Sequence, residues 1–277
     1  MDLRKRLMGD MRIDDEIWSK EDLEERCNDN LTAIQAAIVH GRSEEVEYLI
    51  SLGSNVNVLD DFGNGLLHLL FLYSSYVDGR DELVSLLIKK GLNVNMRNDS
   101  GETICHLMTS GDVDFILKIG CDVNIQDNLG RNGLHVATEE GMEEDELELI
   151  VKHIKDINCQ DRDGLTAIHY LACRGYGGEE EEIIMLMKYG TKIDIEDNKG
   201  NIPTFDTEDV DMIEFLVTQG ANINHQNKYG DSILHYWAEM GDKENYEFLV
   251  SLGANDALKN RHGITPKDKF KNAIMNH

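Results

Sequence analysis

The sequence has almost no proline, few aromatic residues and a shortage of positive charge. Only 2 of its 277 residues are proline, so no proline-rich linker divides the chain. It has 27 lysine and arginine residues against 53 aspartate and glutamate residues, which leaves a formal charge of −26. Such a chain repels a phosphate backbone and an anionic membrane surface, and it attracts basic partners. We therefore expect neither direct nucleic-acid binding nor membrane binding.

Several kinds of motif are also missing. The 5 cysteines include no CxxC pair and their number is odd, which indicates neither a disulfide framework nor a cysteine zinc site. A reducing, cytoplasmic compartment fits this cysteine content best. The N-terminal stretch MDLRKRLMGDMR lacks the apolar core of a signal peptide, and no apolar run approaches the ~18 residues of a membrane span. Phosphate-loop and nucleophile-elbow motifs do not occur.

What the sequence contains instead is a repeated turn. Variants of DRDGLTAIHYLA begin at Asp60, Asn98, Asp127, Asp161, Asp197, Asn227 and Asn260. Their turn glycines are spaced by 38, 29, 34, 36, 30 and 33 residues, and a degenerate copy, DNLTAIQAA, begins at Asp29. Each copy ends with an apolar stripe at helical spacing and a glycine suited to a helix C-terminus. One repeat is thus a turn, a short helix, a longer helix and a glycine stop.

A period near 33 residues with a TPLHxA-like opening resembles the ankyrin repeat, and LTAIHYLA and DSILHYWA carry the resemblance best. The resemblance covers residues 29–274. It implies an all-α solenoid of about seven to eight stacked helix-turn-helix repeats with β-turn fingers and terminal caps. We expect residues 1–28 to form an N-terminal helical cap and residues 29–277 to form the ankyrin-repeat domain. Its repeats would start near residues 29, 60, 98, 127, 161, 197, 227 and 260.

The glycine spacings run long, short, normal, and then long, short, normal again. This pattern indicates a duplicated three-repeat block, residues 60–160 and 161–259. The length changes fall between the two helices of a repeat, in 71–82 and 174–182, and in the short repeats we expect a clipped helix. Trp237 occupies a position that is usually small and buried in this motif. We expect it to fill the space that a clipped neighbour leaves.

The chemically suggestive side chains recur with the repeat. His68, His106, His135, His169 and His235 share one position. The resemblance implies that this histidine is structural, and stacked repeats would space the five as a ladder, which is unsuited to a metal site. Asp161 and its equivalents suit turns. Cys173 has no positioned base nearby except His169, so we expect no catalytic residue, no cofactor and no enzyme activity. An enzyme centred on these two residues remains a third hypothesis.

Two sets of residues are candidates for binding. The candidate partner-binding residues, at turn tips and first helices, are Phe62, Leu129, Arg131, Glu139, Glu140, Asp163, Leu165, Arg174, Tyr229, Asp231, Glu239 and Met240. The candidate acidic patch consists of Glu143, Glu144, Asp145, Glu146, Glu179, Glu180, Glu181 and Glu182. Acids at the start of a second helix also stabilise its dipole, so docking and capping both stay open for this patch.

The expected function is binding of a basic protein through a concave surface of fingertips and first helices, without catalysis. The partner would be sequestered or inhibited, as by a pathogen effector, a viral host-range factor or a toxin-neutralising protein. We expect a monomer in the free state, in the cytoplasm or, if a pathogen secretes it, in the host cytoplasm. The alternative is an acidic nucleic-acid mimic that blocks a DNA- or RNA-binding protein.

Overall fold

The computed structural model describes residues 23–26, 30–73, 79–174 and 179–275. The regular elements in these ranges are thirteen α-helices and two 3₁₀ turns, and no strand occurs among them. The expectation of an all-α chain is therefore confirmed. The predicted N-terminal cap, residues 1–28, lies outside the described residues except for 23–26. The centres of both predicted insertions, 74–78 and 175–178, lie outside them as well.

The chain divides into two compact units, residues 1–128 (unit 1) and 129–277 (unit 2). Unit 1 contains α1 (Ala33–Val39), α2 (Ser43–Ser51), α3 (Leu66–Leu72), α4 (Arg80–Lys89) and α5 (Val113–Lys118). Unit 2 contains α6 (Gly133–Glu140), α7 (Glu144–Val151), α8 (Ala167–Arg174), α9 (Glu179–Lys188), α10 (Val210–Thr218), α11 (Ile233–Met240), α12 (Lys243–Ser251) and α13 (Pro266–Met275). Five pairs of α-helices follow one another, α1–α2, α3–α4, α6–α7, α8–α9 and α11–α12, whereas α5 and α10 each follow a 3₁₀ turn and α13 stands last.

Polar side chains begin several of these helices. Asn132, Asp209 and Asp242 precede α6, α10 and α12, and each side-chain oxygen accepts a hydrogen bond from an amide of the first turn. These bonds satisfy donors that have no partner inside the helix. The first turn of α9 holds four glutamates, whose charge opposes the positive end of the helix dipole.

One aspartate and one glycine build the recurring turn, as residues 161–166 illustrate. The Asp161 Oδ1 atom accepts hydrogen bonds from the amides of Asp163 and Leu165, both at 2.8 Å. Gly164 has a φ of +85°, and a Cβ atom there would come within 2.7 Å of the Asn198 amide nitrogen. Both the backbone conformation and the close approach of the next turn therefore require glycine.

Single backbone hydrogen bonds join consecutive turns within each unit. The acceptors are the carbonyls of Phe62 and Ser100 in unit 1 and of Leu129, Asp163, Lys199 and Tyr229 in unit 2, at 2.8 to 3.0 Å. Each acceptor residue directly precedes a turn glycine, so its backbone is held in place at the tip of the turn. Its side chain remains available to project outward.

Both short repeats have a first helix reduced to one 3₁₀ turn, Ile104–His106 in unit 1 and Pro203–Phe205 in unit 2. The full repeats place a helix of 7 or 8 residues at this position, for example α3 and α8. The expected clipped helix is thus confirmed. In unit 2 the turn starts with Pro203, whose missing amide hydrogen is no loss at the first position of a helix.

Trp237 fills the core beside the clipped turn of unit 2. Its side chain is buried in a cluster that includes Ile213 and Leu234. Phe205 and Val210, both from the short repeat, pack against the same cluster. Trp237 therefore contributes to packing, as expected, because the shortened helix leaves room that a small residue would not fill.

The last helix, α13, gives unit 2 a polar end. Pro266 is its only buried residue among those described. Phe270 stacks on Tyr246 of α12 with ring centroids 4.3 Å apart, and α13 packs against α11. A helix with one packed stripe and an otherwise solvated, lysine-bearing surface suits the end of a repeat array.

Candidate functional site

Three turn tips present large apolar side chains to solvent. Phe62 is 72% exposed in unit 1, and Leu129 and Tyr229 are 57% and 58% exposed in unit 2. They do not fold back onto neighbouring turns, although their carbonyls are held by the hydrogen bonds between turns. Exposed aromatic and aliphatic groups on a held backbone lose little further freedom on binding, which suits contact with a partner.

The predicted first-helix acids of unit 2 are partly neutralised by neighbouring bases. Glu139 pairs with Arg131 at 2.8 Å, and Glu239 pairs with Lys269 at 3.2 Å. Lys269 also lies 3.7 Å from Asp231. Glu139 and Glu239 are exposed, so their ion pairs contribute little stability, although Arg131, Asp231 and Lys269 are half-buried. They place acids and bases together beside the turn tips.

The remaining predicted contact residues of unit 2 differ in exposure. Glu140, Asp163 and Met240 are exposed, whereas Leu165 is half-buried beside its turn. Met240 is an adaptable apolar side chain at the end of α11. Together with Leu129 and Tyr229, it adds apolar surface to a face on which carboxylates are frequent.

The predicted acidic patch falls on the first turns of two second helices. Glu144, Asp145 and Glu146 form the first turn of α7, and Glu179 to Glu182 form that of α9. Stabilisation of the helix dipole explains their position in both cases. Glu143, Glu144, Asp145 and Glu181 are exposed.

Arg174 forms ion pairs with two acids of this patch. Its guanidinium lies 3.4 Å from Glu182 and 3.8 Å from Glu179. Glu179 is buried, so it does not belong to the exposed acidic surface that the sequence predicted. Burial raises the pKa of the Glu182 carboxyl, and the nearby Arg174 charge counteracts that rise. Arg174, a candidate for partner contact, is thus engaged within unit 2.

The repeated histidines have structural hydrogen bonds within their own turns, as the resemblance implies. The Nδ1 atoms of His68, His106, His135, His169 and His235 accept hydrogen bonds from the amide three residues earlier, at 2.9 to 3.2 Å. The Nε2 atoms of His68, His135 and His235 meet carbonyl oxygens of the following repeat. An Nδ1 atom that accepts leaves the proton on Nε2, which donates to those carbonyls. His68, His135 and His235 therefore each join two repeats.

Cys173 and His169 do not form a nucleophile and base. His169 is buried with its Nδ1 atom held by Thr166, and desolvation lowers the pKa of its ring to about 4. Desolvation, with Asp206 and Glu208 nearby, raises the pKa of the Cys173 thiol, which keeps it protonated. A protonated thiol is a weak nucleophile.

Asp161, the other suggestive residue of this stretch, accepts hydrogen bonds from its own turn and from the Tyr170 hydroxyl at 2.8 Å. No group of three or more histidine, cysteine, aspartate or glutamate side chains in the described ranges could hold a metal ion. No helix within those ranges is long and apolar enough to cross a membrane.

One cysteine pair was not foreseen from the sequence. The structure joins Cys105 of the clipped turn to Cys121, which follows α5, with their Cα atoms 6.6 Å apart. Both residues are buried. An odd cysteine count without a CxxC pair could not reveal this contact, because tertiary packing of one short repeat brings the two residues together. Cys173 is a free thiol.

A notch beside the second clipped turn was also missed. It has a volume of about 440 Å³ and is lined by Cys173, Asp206, Thr207, Glu208 and Asp209. Cys173 comes from the end of α8, whereas the other four residues connect the 3₁₀ turn to α10. The shortened first helix of this repeat is therefore what leaves the notch open.

The carboxylates of the notch differ in their contacts. Glu208 accepts a hydrogen bond from the Tyr236 hydroxyl at 3.2 Å, and Asp209 accepts one from the Asp211 amide at 2.9 Å. The Asp206 Oδ2 atom is buried without a hydrogen-bond partner. Desolvation, with Asp197 nearby, raises the pKa of Asp206 to about 7, and Lys199 opposes the rise. The notch thus holds the Glu208 and Asp209 carboxylates beside Asp206, whose raised pKa keeps it partly protonated near neutral pH.

A scan against protein families finds none that matches the chain, and a search of curated proteins finds no match either. The candidate site must therefore be judged on its own geometry and chemistry.

Proposed function

We propose that the chain is an ankyrin-type repeat protein that binds a basic protein partner without catalysis, and that it sequesters or inhibits this partner. Two features recur at the repeat interval and support the ankyrin-type assignment. They are the backbone hydrogen bonds between turns and the histidine bonds between repeats. The antagonist role rests on the family resemblance alone. The cytoplasmic or host-cytoplasmic setting rests on the cysteine content, and the Cys105–Cys121 bond counts against it.

The observation that carries the binding function is the pairing of apolar tips with negative charge in unit 2. Leu129 and Tyr229 are exposed on turns whose backbones are held. The open notch adds the Glu208 and Asp209 carboxylates, which form no ion pair with a lysine or arginine of the described residues. Apolar anchors supply affinity, and acidic surroundings select and steer a basic partner.

The test is capture of host proteins on the immobilised full-length chain, with bound proteins quantified by mass spectrometry. We expect Leu129→Ala and Tyr229→Ala to reduce a specific basic protein roughly tenfold each, as for interface anchors. Val250→Ala is the matched control, because Val250 is an exposed apolar residue on α12, away from the turns. Equal capture by the control and by both turn variants would refute binding through the tips.

The alternative, mimicry of nucleic acid, requires a row of free acids. Arg174 is already placed between Glu179 and Glu182, and Arg131 and Lys269 pair with further acids. These pairs weigh against mimicry. Salt separates the two functions, since mimicry predicts capture that collapses between low and physiological ionic strength. Anchored binding predicts a milder loss, together with sensitivity to Tyr229→Ala.

A further inference from the structure

The acidic notch of the second short repeat is lined by an aspartate whose equivalent in the first short repeat is paired with an arginine. In unit 1, the Arg80 guanidinium binds the Asp112 carboxylate at 2.7 Å and lies over the Phe71 ring, 4.5 Å from its centroid. Asp112 directly precedes α5 of the short repeat. One arginine thus joins the second helix of one repeat to the clipped repeat that follows.

The same positions can be identified in unit 2 by the repeat pattern. Arg80 precedes Gly91 by eleven residues, and Glu179 precedes Gly190 by the same interval. Asp209 directly precedes α10, as Asp112 precedes α5. The sequence DVD, which begins at 112 and again at 209, confirms this register. Unit 2 therefore keeps the acceptor aspartate and replaces the arginine by a glutamate.

The position of the aromatic ring also differs in unit 2. Phe71 lies three residues after His68, and the residue three after His169 is Ala172, which is buried. At these two equivalent positions unit 2 thus has alanine in place of phenylalanine and glutamate in place of arginine. The notch of about 440 Å³ is lined by Cys173, which directly follows Ala172, and by Asp209, the equivalent of Asp112.

The acids of the notch have no substitute for Arg80. Among the described residues, no lysine or arginine forms an ion pair with Asp206, Glu208 or Asp209, although Lys199 acts on Asp206 from a distance. The orphaned Asp206 Oδ2 atom is consistent with a missing donor, because a buried carboxylate oxygen without one is unfavourable.

We propose that this notch receives the guanidinium group of an arginine on the partner protein, with Asp209 as the principal acceptor and Glu208 beside it. The inference rests on the proposed function, and it names one contact of the bound partner. Arginine is chosen over lysine because unit 1 uses arginine at the equivalent place. Its planar fork can also contact two carboxylate oxygens at once.

The probe is Nα-acetyl-arginine amide, titrated into the ¹⁵N-labelled full-length chain and followed by two-dimensional NMR. Its neutral isostere, Nα-acetyl-citrulline amide, is the matched ligand control. We expect saturable shifts at the amides of Thr207, Glu208 and Asp209 with the arginine amide, and at least tenfold weaker binding of the citrulline amide. The factor of about ten corresponds to the loss of one charge-assisted hydrogen bond.

Asp209→Asn is the decisive variant, because asparagine still caps α10 and removes only the charge. It should weaken binding of the arginine amide about tenfold. Asp242→Asn is its matched control, since Asp242 caps α12 in the same way and does not line the notch. This control should bind as the unmodified chain does.

Equal affinity for the citrulline amide would overturn the proposal, and so would unchanged binding by Asp209→Asn. Unsaturable shifts spread over all acidic surfaces would overturn it too, because they would indicate a diffuse cation atmosphere. If the notch fails to bind the arginine amide while capture still depends on Tyr229, the proposed function stands without this contact. If the notch binds it while Tyr229→Ala captures normally, binding through the tips fails instead.

Discussion

The two short repeats solve the same packing problem in different ways. Each has a first helix reduced to a 3₁₀ turn. In unit 1 the Cys105–Cys121 bond and the Arg80–Asp112 pair close the repeat. In unit 2 a large core residue, Trp237, takes up the interior space, and the outer side stays open. Two repeats with the same shortened backbone can therefore differ in their side chains, so that one is closed by an ion pair and the other has an open notch.

The largest expected effect comes from removing the residue that fills the interior of unit 2. Trp237→Ala should lower the free energy of unfolding by about 3–5 kcal/mol, because it leaves a large cavity in a packed cluster. Thermal or denaturant unfolding measures the change. Tyr236→Ala is the neighbouring control, since Tyr236 is exposed, and it should cost less than about 1 kcal/mol. Similar losses for both variants would contradict the packing role.

Loss of the cysteine pair of unit 1 should have the next largest effect on the free energy of unfolding. Reduction, or a Cys105→Ala and Cys121→Ala double substitution, should destabilise the chain by about 3 kcal/mol, the value expected for a loop of this length. Intact mass with and without reductant reports the bond, and unfolding curves report its effect. Cys173→Ser serves as the control, because Cys173 is an exposed free thiol. If reductant changes neither the intact mass nor the melting curve, the Cys105–Cys121 bond does not form and does not stabilise unit 1.

The next prediction tests the Arg80–Asp112 ion pair of unit 1. Arg80→Ala should cost about 2 kcal/mol, because Asp112 is buried and would lose its charged partner. Arg80→Lys should recover only part of this loss, since lysine keeps the charge and lacks the planar contact with Phe71. Unfolding of the full chain measures both variants. If Arg80→Ala has the same free energy of unfolding as the unmodified chain, the ion pair does not close the repeat.

The smallest effect concerns Asp206 in the open notch, and it depends on pH. The pKa of Asp206 is raised from 3.8 to about 7 by burial and by Asp197, against Lys199. Between these values the unfolded chain ionises this group while the folded chain keeps it protonated. Stability therefore falls as pH rises from about 4 to about 7 and then levels off.

Asp206→Asn removes this dependence. The variant should match the unmodified chain near pH 4 and exceed it by about 1–2 kcal/mol at pH 8. This gain is less than the ~4 kcal/mol of the full shift, because the carboxyl is incompletely buried. Denaturant unfolding at the two pH values measures the difference, with Asp242→Asn as the control. A gain of the same size at both values would rule out titration of Asp206 as its cause.

Much of the fold was predictable because the structural features that build it are local and repeated. The turn glycines, the structural histidines and the clipped helices all follow from spacing and residue type, as Gly164 and His169 illustrate. The exposure of Phe62 and Tyr229 was predictable too, since a turn tip leaves its side chain outside. The exchange of Arg80 for Glu179 at equivalent positions could have pointed to the notch, had the duplicated blocks been aligned residue by residue.

By itself, the sequence determined the helical class, the rhythm of turns and helices, and the excess of negative charge. These depend on periodicity, glycine positions and composition, which need no knowledge of long-range contacts. Only the tertiary structure decided that Glu179 is buried, that Cys105 meets Cys121, and that Asp206 lacks a donor. Each of these depends on which side chains from distant parts of the chain fill the same small volume, and repeat spacing does not specify that.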